Sequence, residues 1–492
     1  MKTLYRHGRV GEAATALLVD GAEIAWVGAV TEAPTADVMI ELEGTTVTPA
    51  FVDAHVHATS TGLQLSGLDL SSSATLADAL AKVEAAASRL ATDGVLLGTG
   101  WDETRWPEGR PPTNEELDRA ASGRQVYLSR VDVHSAVCSS ALLQGVNHDQ
   151  GVVRQDAHHI VRKAAYASIT PHQRKTAQRA TLDRAASLGI ACIHECGGPE
   201  ISGEDDFLAL LALAEEEQTP EVVGYWAELN AVAKARELGA RGAAGDLFAD
   251  GSFGSRTAAL NSPYADDDPH FSHSGEPYLS VDEVTEHVVA CTRAGLQAGY
   301  HCIGDAAIHR VVAGFAQAAE QLGDDAIRAA RHRLEHVELV GRGEAAVLAR
   351  LGIVASVQPA FDAAWGGADR MYAQRLGAWR AGKLNPFAEL LEEGVTLAFG
   401  SDAPVTPLDP WGGLRAAIQH RTPRHAITQP QAMHAHTTAG WKAARDDSTG
   451  PLQPGSPATF AVWDRPFDPD SANPECRLTV LRGEVIFRFG GL

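Results

Sequence analysis

Eight short apolar runs recur through the middle of the chain, and Ala-rich segments with helical character stand between several of them. The runs are Thr48–Val56, Gly189–His194, Pro220–Trp226, Asp246–Asp250, Gly295–His301, His332–His336, Gly352–Gln358 and Gly394–Ser401. Ser168–Leu188, Val281–Ala294 and Arg342–Leu351 read as the intervening helices. Strands alternating with helices favour parallel βαβ units, because a parallel neighbour is reached only by a crossover long enough to hold a helix. Eight such units fit a closed (β/α)8 TIM barrel, the α/β fold expected here. An open doubly wound sheet is the competitor, but no Gly-x-Gly-x-x-Gly loop follows an early strand.

The two ends have a different texture. Residues 1–50 carry the β-prone runs Ala16–Val19, Glu23–Val27, Met39–Leu42 and Thr45–Val47, divided by Asp20-Gly21, Gly28 and Gly44. Residues 450–492 repeat that texture in Ala458–Trp463, Leu478–Leu481 and Val485–Phe489. Both ends are therefore expected to pair into one small β-sandwich domain around a barrel of residues 51–449, two separate extensions being the other reading. Roughly 130 residues divide the first two barrel runs, too many for a bare loop. They hold a helix (Leu76–Ala91) and two strands (Val95–Gly100 and Gln125–Val131), so a subdomain inserted at about 60–180 is expected.

Charge narrows the partners. A formal charge of −22 argues against nucleic acid and anionic membrane surfaces, both of which select a basic face. No apolar run approaches the roughly 20 residues of a bilayer span, and no signal peptide is evident at the start. The six cysteines are scattered without a CxxC pair, which suits reduced thiols in a cytoplasmic protein. A small-molecule substrate is the partner left.

The chemistry gathers at strand ends. His55 and His57 close Phe51-Val52-Asp53-Ala54-His55-Val56-His57, and residues two apart in a strand share a face. Two imidazoles so placed can converge on one divalent ion. His301, His336 and Asp402 end three further runs, on the C-terminal rim where barrel enzymes place catalysis. Taken singly, each has an ordinary structural use. His301 can bond a loop carbonyl, His336 can pair with Glu335 or Glu338, and Asp402 can cap a helix. Glu195 also ends a run, as a rim carboxylate or a barrel salt bridge.

Together these residues resemble the amidohydrolase superfamily, in the branch of N-substituted formamide deformylases. The resemblance rests on Thr48 to His57, Gly100-Trp101-Asp102-Glu103, Leu247 to Ala258, Gly304-Asp305-Ala306-Ala307, Arg333-Leu334-Glu335-His336, Phe399 to Val405 and the tail Gly450 to Thr459. It spans nearly the whole chain and implies a metal-dependent hydrolase of C–N bonds, active as a homodimer. It also implies a lysine before Leu247, which in many relatives is carboxylated and bridges two metals. This chain has Asp246 there. Either its carboxylate reaches a metal, or a second metal is missing. One firmly held ion, on His55, His57 and one or both of His301 and His336, is the preferred reading.

An imidazole and carboxylate set suits Zn²⁺ first, with Fe²⁺ or Mn²⁺ as the other candidates. Asp402 is the expected general base and then acid, and His336 or His301 is free to stabilise an oxyanion if it does not ligate. Trp101 and Asp102 in the insertion, and Arg256 after the Gly254-Ser255 turn, are the expected substrate contacts. Packing, or an ion pair between Arg256 and Asp250, would account for them equally well. Gln358 and Trp365 are weaker candidates. Two other functions stay open: deamination of a small heterocycle, and a ligand-binding barrel that has lost turnover.

Overall fold

In the computed structural model, residues 1–490 are described apart from 12, 104–105, 131–134, 255 and 267–272, so Val131 and Ser255 lie outside the described residues. Eight strands follow one another in parallel: β1 (Phe51–Val56), β2 (Ile190–Gly197), β3 (Glu221–Trp226), β4 (Gly242–Ala243), β5 (Gln297–Cys302), β6 (Arg333–His336), β7 (Val354–Val357) and β8 (Leu397–Phe399). Every residue of β1 and β2 is buried, as expected when a parallel sheet is covered on both faces. The ring closes at the rim. Asp402 N donates to His55 O at 2.8 Å, and His57 N donates to Ala403 O at 2.9 Å. Gly400 permits this closure, because a Cβ there would lie 2.6 Å from the backbone nitrogen of His55.

The fourth strand departs from expectation. Its ladder is Gly242–Ala243 rather than Asp246–Asp250. Gly245 turns left-handed at φ +87°, a conformation that costs glycine nothing, and carries Asp246 off the ladder. The chain then rejoins β5, with His301 N donating to Leu247 O and Ala249 N to His301 O, both at 3.0 Å. Asp246 is thereby left on the interruption itself.

Strands from both chain ends share one sheet, in the order 484–488, 476–481, 460–463, 46–49, 2–10, 14–20 and 23–28, with 38–41 also on 2–10. Val47 pairs with Val462 and Pro49 with Phe460. Tyr5, Leu17 and Ile24 from one end and Phe460, Val462 and Val480 from the other fill a common core. The burial of each such side chain stabilises by ~1.5–3 kcal/mol.

Residues Ala58–Thr181 form a separate compact unit. Its five-stranded sheet runs 152–154, 135–138, 125–130, 95–101 and 68–69. Helix Leu76–Arg89 starts where the Thr75 side chain accepts from Asp78 N. It buries Leu76, Ala79, Val83 and Ala87 in a core shared with Trp101, Trp106 and Leu128. Among the described residues no helix is long and apolar enough to cross a membrane, and all six cysteines are buried free thiols.

Candidate metal centre

The strand ends bring His55, His57, Asp246 and Asp402 together, and Asp246, His301 and His336 likewise. Asp246 stands between the two groups. Its Oδ2 lies 3.4 Å from His55 Nε2 and 3.1 Å from His57 Nε2. Its Oδ1 lies 3.4 Å from both His301 Nδ1 and His336 Nε2. Asp402 Oδ1 approaches His55 Nε2 at 3.5 Å and His57 Nε2 at 3.2 Å.

Backbone conformation aims two of these side chains. Strand alternation would send His336 to the face opposite Glu335. His336 instead takes φ 70° and Asp402 φ 54°, a region that non-glycine residues seldom adopt. Such strain is held in place only where surrounding structure fixes it, and it gathers at functional sites.

Each imidazole is tied by its outer nitrogen. His55 Nδ1 meets Glu335 Oε2 at 2.9 Å, and His57 Nδ1 meets the Cys196 carbonyl at 3.1 Å. His336 Nδ1 meets Gln358 Oε1 at 2.8 Å, and His301 Nε2 meets the Gly251 carbonyl at 3.2 Å. These partners are acceptors, so each outer nitrogen carries the proton and donates it. The inner nitrogen of a neutral ring then turns a lone pair toward the carboxylates, as outer-sphere partners of metal-binding histidines do.

Charge and unmet hydrogen bonds agree with a cation at this place. His55 Nε2 and Asp402 Oδ1 are buried, and neither has a hydrogen-bond partner among the described residues. Burial works against the imidazoliums of His55 and His57, yet the surrounding groups, Asp246 and Asp402 among them, hold both pKa values well above the ordinary value. Burial likewise opposes the carboxylate of Asp246, but the histidines around it, His55 foremost, keep it well below the usual range. The centre therefore demands positive charge, which protons or a divalent cation can supply. The residues present fit the cation.

The other expected residues have partners of their own. Trp101 is buried within the inserted unit, its Nε1 donating to Leu128 O at 2.8 Å. Asp102 lies 3.6 Å from Arg130 Nη2 in the same unit. Arg256 makes a two-pronged contact with Asp266, Nε to Oδ1 at 3.1 Å and Nη2 to Oδ2 at 2.8 Å. Asp250 instead accepts from the backbone nitrogens of Ala259, Ile303 and Gly304 and fixes the loop after β5. Trp365 packs on Phe361, which stacks on His336.

Sequence reasoning passed over Asp53. Its buried carboxylate accepts from Ser401 N at 2.8 Å and ties β1 to the residue before Asp402. Burial raises its pKa to about 6 despite the Ser401 and His55 hydrogen bonds. Its place two residues before His55 on one strand face was the available signal.

A closed parallel barrel with imidazoles and carboxylates converging on its C-terminal rim defines a hydrolase of the metal-dependent type. The amidohydrolase family profile matches residues 38–487, and the chain belongs to that family. It is 27% identical to Protein LONG AFTER FAR-RED 3 of Arabidopsis thaliana, over 86% of this chain and 80% of that one. It is 25% identical to an N-substituted formamide deformylase of Arthrobacter pascens, over 96% and 94% of the two chains. Among solved structures, an uncharacterized metal-dependent hydrolase from Pyrococcus furiosus superposes with a TM-score of 0.79 at 25% identity, covering 95% of this chain and all of that one.

Proposed function

We propose that the protein hydrolyses the C–N bond of a small neutral amide, with N-substituted formamides as the substrate class. The observation that carries this reading is the arrangement of four outward-tied imidazoles around the carboxylates of Asp246 and Asp402. His55, His57, Asp246 and Asp402 would hold one divalent ion, Zn²⁺ first and Fe²⁺ or Mn²⁺ otherwise. His301 and His336 would share Asp246 with it and can hold a second. Such an ion supplies Lewis acidity toward a carbonyl oxygen and lowers the pKa of water toward ~7.

The chain's own residues do the rest. Asp402 Oδ1, with no hydrogen-bond partner among the described residues, takes the proton of the attacking water and returns it to the leaving nitrogen. His336 or His301, where it does not ligate, would donate to the developing oxyanion in its doubly protonated form, its inner nitrogen then carrying a proton as well as its outer one. Exposed apolar side chains on the same rim support an apolar N-substituent. Phe248, 38% exposed, has its ring 4.9 Å from that of His301. Val405, 52% exposed, follows Asp402 and bonds its carbonyl. For Trp101, Asp102 and Arg256, a role as substrate contacts predicts a raised KM on substitution with kcat retained.

The test is a panel of N-substituted formamides and heterocyclic amines, assayed with Zn²⁺, Fe²⁺ and Mn²⁺. Formate release supports the proposal, and ammonia release from heterocycles alone replaces it with deamination. Turnover of no amide with any ion would overturn it.

A further inference from the structure

A charged pair lies inside the barrel beside the candidate centre: Glu335 ties His55, but the chemistry above gives its partner Arg333 no part. Arg333 and Glu335 are two residues apart on β6, share a face, and are fully buried. Arg333 Nε donates to Glu335 Oε1 at 2.5 Å and Nη2 to Oε2 at 2.9 Å. Nη2 also reaches Ala54 O at 2.6 Å and Ser356 Oγ at 3.0 Å, and Nη1 reaches His194 Nδ1 at 3.1 Å. The guanidinium carbon lies 4.3 Å from the ring centre of Tyr225. One guanidinium thus gathers side chains or backbone from β1, β2, β3, β6 and β7.

A buried ion pair gains little stability over apolar residues of the same volume, so packing alone does not account for it. Barrel interiors are ordinarily filled by branched apolar side chains. What the pair does deliver is a fixed carboxylate oxygen. Glu335 Oε2 stands 2.9 Å from His55 Nδ1. The Cys196 carbonyl beside His57 Nδ1, the Gly251 carbonyl beside His301 Nε2 and the Gln358 amide oxygen beside His336 Nδ1 are uncharged acceptors.

Building on the metal-centre reading, we propose that Glu335, clamped by Arg333, is a positioning residue that makes His55 the strongest cation donor of the four histidines. The carboxylate fixes the Nδ1–H tautomer and leaves the Nε2 lone pair facing Asp246 and Asp402. Its negative charge increases the basicity of that lone pair, which a carbonyl partner does to a smaller degree. Arg333 balances the charge, so the carboxylate stays ionised without solvent.

The test measures Zn²⁺ affinity of the chelator-stripped full chain by competition with a chromophoric chelator. Glu335→Gln keeps an acceptor oxygen and removes the charge. The expected result is a 10–100-fold weaker Kd. The double variant Glu335→Gln/Arg333→Met removes both charges, so no uncompensated guanidinium remains, and it is expected to show the same weakening. Gln358→Ala, which removes the uncharged partner of His336, is expected to weaken Kd less. A second measurement uses the native protein: with Zn²⁺ bound, the His55 ring N–H should give a far-downfield proton resonance that ¹⁵N-histidine labelling assigns. Variants that bind Zn²⁺ as tightly as the native chain, or a native spectrum lacking that resonance, would overturn the proposal. Failure of the native chain to bind Zn²⁺, Fe²⁺ or Mn²⁺ at all would instead bring down the metal-centre reading and this proposal with it.

Discussion

His57 Nε2 and Asp402 Oδ1 lie 3.2 Å apart across the seam where the last barrel strand meets the first. The backbone bonds that close the barrel, from Asp402 to His55 and from His57 to Ala403, are the same bonds that set this distance. Barrel closure and the approach of these two proposed metal-holding residues are one structural event.

Replacing Asp402 by Asn keeps the shape and removes the proton acceptor. We expect kcat for formamide hydrolysis to fall by ~10²–10⁴. Initial rates of formate release check this, and equal turnover in both proteins would remove Asp402 from the proton-transfer role.

Asp246 offers one oxygen to each histidine pair, so its loss should affect both. Asp246→Ala is expected to lower bound metal, measured by elemental analysis after gel filtration. The rise in Tm that Zn²⁺ gives the native chain should vanish in the variant, since stabilisation follows binding to the folded state. If Asp246→Ala binds as much metal as the native chain, its central role is wrong.

Gly400→Ala places a Cβ 2.6 Å from the backbone nitrogen of His55 and 2.9 Å from its Cβ. Overpacking of this kind costs ~1–3 kcal/mol. The seam also carries the site, so urea midpoint and activity should fall together. A stable, inactive variant would show that the closure and the site are separable.

Two buried histidines outside the site set an acid limit on stability. Burial lowers the pKa of His332 to about 3 and that of His436 to about 4, against 6.5 in an unfolded chain. Protons therefore bind the unfolded chain first. Their contribution is complete above pH 6.5 and drains away as pH falls from 6.5 toward 3–4, by on the order of 3 kcal/mol for His436 and roughly 5 kcal/mol for His332. Urea titrations from pH 7 to pH 4.5, with chelator present throughout, should show this slope. His436→Gln should flatten it, and an unchanged slope would reject the assignment.

The barrel was legible because its strands are buried on both faces and so read as continuous apolar runs, β1 and β2 most clearly. His55 and His57 were legible because a two-residue period survives to the end of β1. The fourth strand was misplaced because Leu247 to Asp250 has strand composition, while the interruption depends on the left-handed turn at Gly245. Glu335 appeared only as a neighbour of His336, because its contact with His55 joins residues 280 positions apart. No local pattern encodes such a contact.

The terminal sheet has a consequence for biosynthesis. Thr48 Oγ1 accepts from Trp463 Nε1 across 415 positions, and strand 46–49 pairs with 460–463. Strands made early must wait, their edge groups open, until a partner made hundreds of residues later leaves the ribosome. Long-range pairing of this kind is slow, and unpaired edges invite aggregation. Yield in the cell should therefore depend on chaperone supply more than the stability of the finished barrel would suggest.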